Sequence, residues 1–128
     1  MSSTTETTGA SAEAIQAHYD VGNAFYALWL DETLTYSSAL WDGPDDERPL
    51  AWAQRNKIAW HLRAAQADKA RRVLDIGCGW GAVVRAAAAL PNVEHVTGLT
   101  LSRAQADHIL AGLPPGIEVR LQGWAEHE

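Results

Sequence analysis

Gly77-Cys78-Gly79-Trp80-Gly81 is the stretch of this sequence whose residue types and spacing best suit chemistry. Three glycines in the order G-x-G-x-G follow the apolar run Val73-Leu74-Asp75-Ile76 and lead directly into an Ala-rich segment. That order reads as a buried parallel strand, a tight turn and a helix. Glycine is required where φ is positive and where a ligand must approach the backbone. Backbone N–H groups at such a turn favour a negatively charged group. Asp75, two residues before the first glycine, can accept from a ligand's ammonium or orient the loop. The spacing is not the dinucleotide fingerprint G-x-G-x-x-G, because Ala82 stands where its last glycine would be. Trp80 either walls a ligand or packs beneath the N-terminal helices. Cys78 reads as a small filler in preference to a nucleophile.

Three further segments carry candidate residues. Gly98-Leu99-Thr100-Leu101-Ser102-Arg103-Ala104-Gln105 begins where a second strand should end. Nucleotide-like cofactors often have their ribose held there by an acidic side chain, but Leu99 and Thr100 occupy the turn. Thr100 and Gln105 could serve as neutral hydrogen-bond partners instead. Ser102 with Gln105 equally fits a capping box, which would make Gln105 structural. Gln122-Gly123-Trp124 follows a third strand, and its indole either borders an adenine ring or fills the core. The front segment holds His18-Tyr19-Asp20-Val21-Gly22-Asn23 and Thr35-Tyr36-Ser37. Its spacing alone specifies no chemistry, and the histidines have no metal-ligand spacing.

The elements that must position these residues follow from periodicity and punctuation. Helices are predicted at Ala12 to Tyr19, Asn23 to Leu30, and Leu50 to about Ala67, the last with Ile58, Leu62 and Ala65 on one stripe. Pro49 suits the first turn of that helix, and the preceding acids suit its N-terminus. Strands are predicted at Arg72 to Ile76, Val93 to Leu99 and Ile117 to Gln122, with helices at Gly81 to Leu90 and Ser102 to Ala111. Alternation of this kind specifies a parallel α/β sheet. Three strands are few for a doubly wound sheet. If strand one is central, its other edge needs a fourth strand, and an open apolar edge is an aggregation hazard. The expectation is an N-terminal part of a longer protein, the alternative being that a second chain supplies the rest, with the 128 residues inactive when isolated.

Composition narrows the functional classes. The chain has 128 residues, 47% hydrophobic and 20% charged, which suits one small globular unit. Its net charge is −6, and residues 1–47 carry carboxylates but no Lys or Arg. The absence of a basic patch argues against nucleic acid and against an anionic membrane surface as partners. No run of about 18 apolar residues is present, so no transmembrane anchor is expected. The Ser/Thr-rich residues 1–10 read as a disordered tail and not as a signal peptide. A single cysteine excludes an intrachain disulfide and is compatible with a reducing, cytoplasmic setting. The organisation expected is a tail at 1–10, a helical segment at 11–70, and the first half of a Rossmann-like domain at 71–128.

Taken together, these segments resemble the cyclopropane fatty acid synthase / mycolic acid cyclopropane synthase family of class I S-adenosylmethionine (SAM) methyltransferases. The matching pieces run in the family's order: His18-Tyr19-Asp20-Val21 with Asn23 and Phe25; Leu30-Asp31 with Thr35-Tyr36-Ser37; Val73 to Gly81; and Gly98-Leu99-Thr100-Leu101-Ser102 with Gln105. The resemblance covers roughly Ala14 to Ala125. It implies a class I methyltransferase sheet of which three strands are present, with N-terminal helices folded over SAM. It implies cofactor contacts from Tyr36, Ser37, Asp75, Gly77, Cys78, Gly79, Trp80, Gly81, Thr100, Leu101, Gln105 and Trp124. It further implies methyl transfer to an alkene carbon of a lipid chain or small natural product, the absence of a basic face favouring the latter. Two departures stand out: Ala24 where many members carry an acid, and Ala125 after Gly123-Trp124 where the mycolic branch carries Glu. The family's substrate cavity comes largely from sequence after the third strand, so no catalytic residue is assigned. A non-catalytic SAM-binding fragment and a nicotinamide- or flavin-binding module are the rival readings.

Overall fold

Three parallel strands form one sheet in the order β1 (Arg72–Ile76), β2 (His95–Thr100), β3 (Ile117–Leu121), in a computed structural model that describes residues 11–19 and 21–128. The tail at 1–10 and Asp20 lie outside the described residues. Before the sheet come α1 (Ala12–Tyr19), α2 (Asn23–Ala27) and α3 (Leu50–Ala64). Helix α4 (Ala82–Ala88) joins β1 to β2, and α5 (Arg103–Leu110) joins β2 to β3.

The register pairs Val73 with Val96 and Val96 with Ile117, and likewise Asp75 with Gly98 and Gly98 with Val119. Paired residues share a face, and this face carries the core. Cys78, Val84, Ala87, Val96 and Ile109 form its buried cluster, with Leu62, Val73, Ile117 and Val119 packed against it. On the opposite face Leu74 and Ile76 are 44% and 58% exposed. β1 has no strand partner on its outer edge among the described residues. The open apolar edge expected from the sequence is therefore present.

Several boundaries are shorter than expected, each for a local reason. α2 ends at Ala27, not Leu30, because Leu28 and Trp29 close three-residue turns onto Phe25 and Tyr26. α3 ends at Ala64, not Ala67, because Gln66 adopts φ +53°. That left-handed residue stops the helix. Ala65 is thereby exposed, and the buried stripe is Ala53, Gln54 and Ile58, with Leu62 at the core. β2 begins at His95, not Val93, since Val93 still closes a turn on Leu90. Pro49 caps α3 and does not sit in its first turn. The acids before it serve Arg48: Asp42 and Asp46 both pair with its guanidinium, which lies 3.2 Å from the Trp52 ring centroid. The Arg48 hydrogen bonds hold the Asp46 carboxyl well below the usual carboxylate range.

Candidate active site

The C-terminal ends of β1 and β2, the place where ligands bind in open α/β sheets, form the floor of a cleft of about 440 Å³. β1 delivers the chain to Gly77, where two consecutive N–H groups, those of Gly77 and Cys78, donate to the Leu99 carbonyl at 2.9 Å each. Gly81 N–H then closes the turn on the Cys78 carbonyl at 2.9 Å. Gly77, Gly79 and Gly81 all have positive φ, at +74°, +55° and +89°. The three glycines nevertheless do two jobs. A Cβ at Gly77 or Gly79 would meet nothing within 4 Å, so those positions keep space open over the cleft. A Cβ at Gly81 would lie 3.0 Å from both Arg85 and Ile109, so that glycine permits α4 to pack.

Asp75 sits below this loop and lines the cleft. Its Oδ2 is buried and has no hydrogen-bond partner among the described residues. Burial pushes its carboxyl pKa up. An unpartnered acceptor of this kind is costly to bury unless something else satisfies it. Cys78 is buried, and burial, with the nearby Asp75 charge adding to it, pushes its thiol up to about 12. A thiol held protonated this firmly is not a nucleophile, and the filler reading of Cys78 stands. A Cβ at Gly98 would come within 3.0 Å of Cys78 Sγ, so this strand glycine makes room for the thiol.

At the end of β2, Thr100 and Gln105 are buried and bonded to each other, Oγ1 to Oε1 at 2.8 Å. Ser102 caps α5 by accepting from Gln105 N–H at 3.3 Å. Thr100 Oγ1, not Gln105, accepts from Ser102 N–H at 3.1 Å. Half of the expected capping box is thus formed, and the Gln105 side chain is held at the cleft wall instead. Leu101 also lines the cleft. Trp124 is 61% exposed at the cleft's edge, which overturns its reading as a core residue.

Trp80 packs as one of its readings had it, and it also reaches the cleft. It lines the cleft, yet it is 2% exposed and packs under the N-terminal helices against Tyr19 and Tyr26, at ring distances of 5.5 and 4.8 Å. Its Nε1 donates to Asn23 Oδ1 at 2.8 Å, and Asn23 Nδ2 donates to the Ala104 carbonyl at 3.3 Å. One asparagine therefore ties α2 to the glycine loop and to α5. His18 is exposed, with its ring parallel to that of Tyr36 at a centroid distance of 6.1 Å.

Tyr36 and Ser37 form the roof of the cleft together with Leu34 and Thr35. Asp31 organises this turn by accepting from Thr33 N–H at 3.1 Å and from Thr35 N–H at 3.2 Å. Leu34 can then adopt φ +53°. The structure brings all twelve residues named for the cofactor site to this region; eleven line the cleft, and Gly81 stands just behind it. Sequence reasoning missed Gln54, which donates from Nε2 to the carbonyls of Thr35 and Ser37 at 3.2 and 2.8 Å. The signal was available: Gln54 is a polar residue on the buried stripe of an amphipathic helix, 3% exposed.

The comparisons with known proteins agree with this geometry. The family description "Mycolic acid cyclopropane synthetase" matches residues 6–128. Cyclopropane mycolic acid synthase 2 of Mycobacterium bovis is 41% identical over 121 residues, covering 91% of this chain and 39% of that protein. The structure of the cyclopropane synthase MmaA2 from Mycobacterium tuberculosis superposes with a TM-score of 0.82 at 39% identity, covering 94% of this chain and 43% of that one. The structure of mycolic acid cyclopropane synthase CmaA1 complexed with SAH and CTAB gives a TM-score of 0.78 at 35% identity, covering 93% and 42%. The chain thus spans about two fifths of the length of these relatives. Its α/β fold, three parallel strands in one sheet with helices, is that of a class I methyltransferase, and the chain belongs to the mycolic acid cyclopropane synthetase family.

Proposed function

We propose that the full-length protein is a SAM-dependent methyltransferase of the cyclopropane synthase type, passing a methyl group to an alkene carbon of a lipid chain or small natural product. The observation that carries this reading is the buried, unpartnered Asp75 oxygen beneath a glycine loop whose would-be Cβ positions are empty. A ligand bearing an ammonium group would satisfy that oxygen, and its backbone would fit the space Gly77 and Gly79 leave. The amino-acid end of SAM has that chemistry, and CmaA1, a neighbour at 35% identity, is complexed with SAH.

When bound, SAM supplies an electrophilic methyl group. The chain's own residues supply placement and shelter. Asp75 would hold the ammonium, Thr100 and Gln105 would offer hydrogen bonds to the adenosine half, and Trp124 would border the base. Tyr19 and Tyr36 wall the cleft with aromatic surface, which excludes water from the transfer. The open edge of β1 and the substrate wall would be completed by further chain or by a second chain. The mycolic acid in the relatives' names supports a lipid chain as acceptor over a small natural product. A cytoplasmic location fits this chemistry, and no described helix is long and apolar enough to cross a membrane.

Calorimetry of the full-length protein with S-adenosylhomocysteine and with NAD, side by side, tests the cofactor. Micromolar binding of the first alone is expected. Turnover of methyl-labelled SAM with an unsaturated lipid then tests the reaction. Binding without transfer to any alkene would leave a SAM-binding module that is not an enzyme.

A further inference from the structure

Lys57 stands outside the cleft, yet it controls a residue that lines it. Its Nζ lies 2.6 Å from Ser37 Oγ and 2.7 Å from Gln54 Oε1. An ammonium is a donor only, whereas a hydroxyl both donates and accepts. Ser37 Oγ therefore accepts from Lys57, and its own proton is left to donate elsewhere. Ser37 is exposed and lines the cleft, so the free donor is available to a ligand. The Gln54 amide has only one workable orientation. Its nitrogen faces two carbonyls and its oxygen faces the ammonium. The reverse would set oxygen against oxygen at one end and donor against donor at the other.

Among the described residues, no Lys, Arg or His lines the cleft. Arg85 also touches a lining residue, but its bond ends on the Trp80 carbonyl at 2.7 Å and passes no donor onward. Lys57 is thus the cation whose bond is relayed into the cleft as a hydroxyl proton. Asp75, which also lines the cleft, offers the opposite charge. A cleft with a carboxylate in its floor and a cation-backed donor in its roof suits a zwitterion.

Resting on the cofactor reading above, we propose that Lys57 is a positioning residue that acts through Ser37 to select ligands carrying a carboxylate at their amino-acid end. S-Adenosylhomocysteine has that carboxylate, and 5′-methylthioadenosine, which keeps the nucleoside and the sulfur, lacks it. Both are titrated calorimetrically into the full-length protein and its variants. Lys57→Met is expected to weaken S-adenosylhomocysteine roughly tenfold, the scale of a hydrogen bond to a charged group, and to leave methylthioadenosine unchanged. Ser37→Ala should show the same selective loss and carries the test if Lys57→Met does not fold. The double variant should bind no more weakly than Ser37→Ala alone, because the two residues act in series. Equal weakening of both ligands in the single variants would reduce Lys57 to a structural role and overturn the proposal, as would no weakening or additive losses. If the wild type binds neither ligand, the cofactor reading falls and this proposal falls with it.

Discussion

In the floor of the cleft, Gly77 and Gly79 hold φ at +74° and +55° with no atom near their missing side chains. In the roof, residues 35–37 are held by side chains from helix α3, Gln54 bonding to carbonyls 19 and 17 residues away. The floor is a property of nine consecutive residues, Val73 to Gly81, and needs little else than β2 to hook onto. The roof has no regular secondary structure of its own, and its geometry comes from Asp31, Gln54 and Lys57. Trp80, which the floor contributes, is buried beneath the N-terminal helices, bonded to Asn23 and packed on Tyr26. The floor should therefore fail through lost space or charge, and the roof through lost hydrogen bonds.

Gly79→Val breaks the floor most directly. It fills the ligand's space and forces a β-branched residue to φ +55°. S-Adenosylhomocysteine affinity should fall more than roughly a hundredfold, while stability falls by about 1–3 kcal/mol, the cost of such a backbone strain. Gly81→Ala should reverse the weighting, since its Cβ meets Arg85 and Ile109 and not the cleft. Paired calorimetry and thermal melts separate the two; equal effects on binding would erase the division of labour among the glycines.

Asp75→Asn tests the floor's charge. Loss of a bond to the ligand's ammonium should weaken S-adenosylhomocysteine by about 2 kcal/mol. Stability should move the other way in the ligand-free protein. Burial raises the folded-state pKa of Asp75 above its unfolded value. Its stabilising contribution is complete below the unfolded aspartate value and is lost as pH rises through the folded one. The variant should therefore melt higher than wild type at neutral pH and show no such gain below about pH 4, the ordinary aspartate value. A lower melting point at neutral pH would mean that Asp75 holds the loop together and does not wait for a ligand.

Gln54→Ala tests the roof. It leaves the carbonyls of Thr35 and Ser37 without their donor and removes a buried amide. A stability loss of about 1.5 kcal/mol is expected from such unpaired groups, measured by urea unfolding. The aromatic roof should loosen with it, seen as faster exchange of the backbone amides around Tyr36 and unchanged protection in β2.

Gln105→Ala is the smallest change. The α5 cap survives it, because the capping bond uses the Ser102 hydroxyl and the Gln105 backbone. Cofactor affinity should drop by about 1 kcal/mol, the scale of one neutral hydrogen bond. Retained affinity with a lower melting point would instead confine Gln105 to holding Thr100.

The parallel sheet, its apolar strands and the glycine loop were legible in the sequence, because each is signalled by residues close along the chain. Strand β1 matched residue for residue at Arg72–Ile76. Helix ends were legible only approximately, since Gln66 stops α3 through a left-handed conformation that its side chain does not announce. The exposed edge of β1 was also legible, for a count of strands shows which hydrogen bonds remain unmade. Only the tertiary structure decided that Trp80 is both wall and core, that Trp124 stands open at the rim, and that Gln105 leans on Thr100. It alone brought Lys57 to Ser37 and Gln54 to Thr35. Those contacts join residues about twenty positions apart across an irregular segment, where no periodicity links one partner to the other. Their geometry is fixed by the packing of α3 against α4, and local chain preference has no means of encoding it.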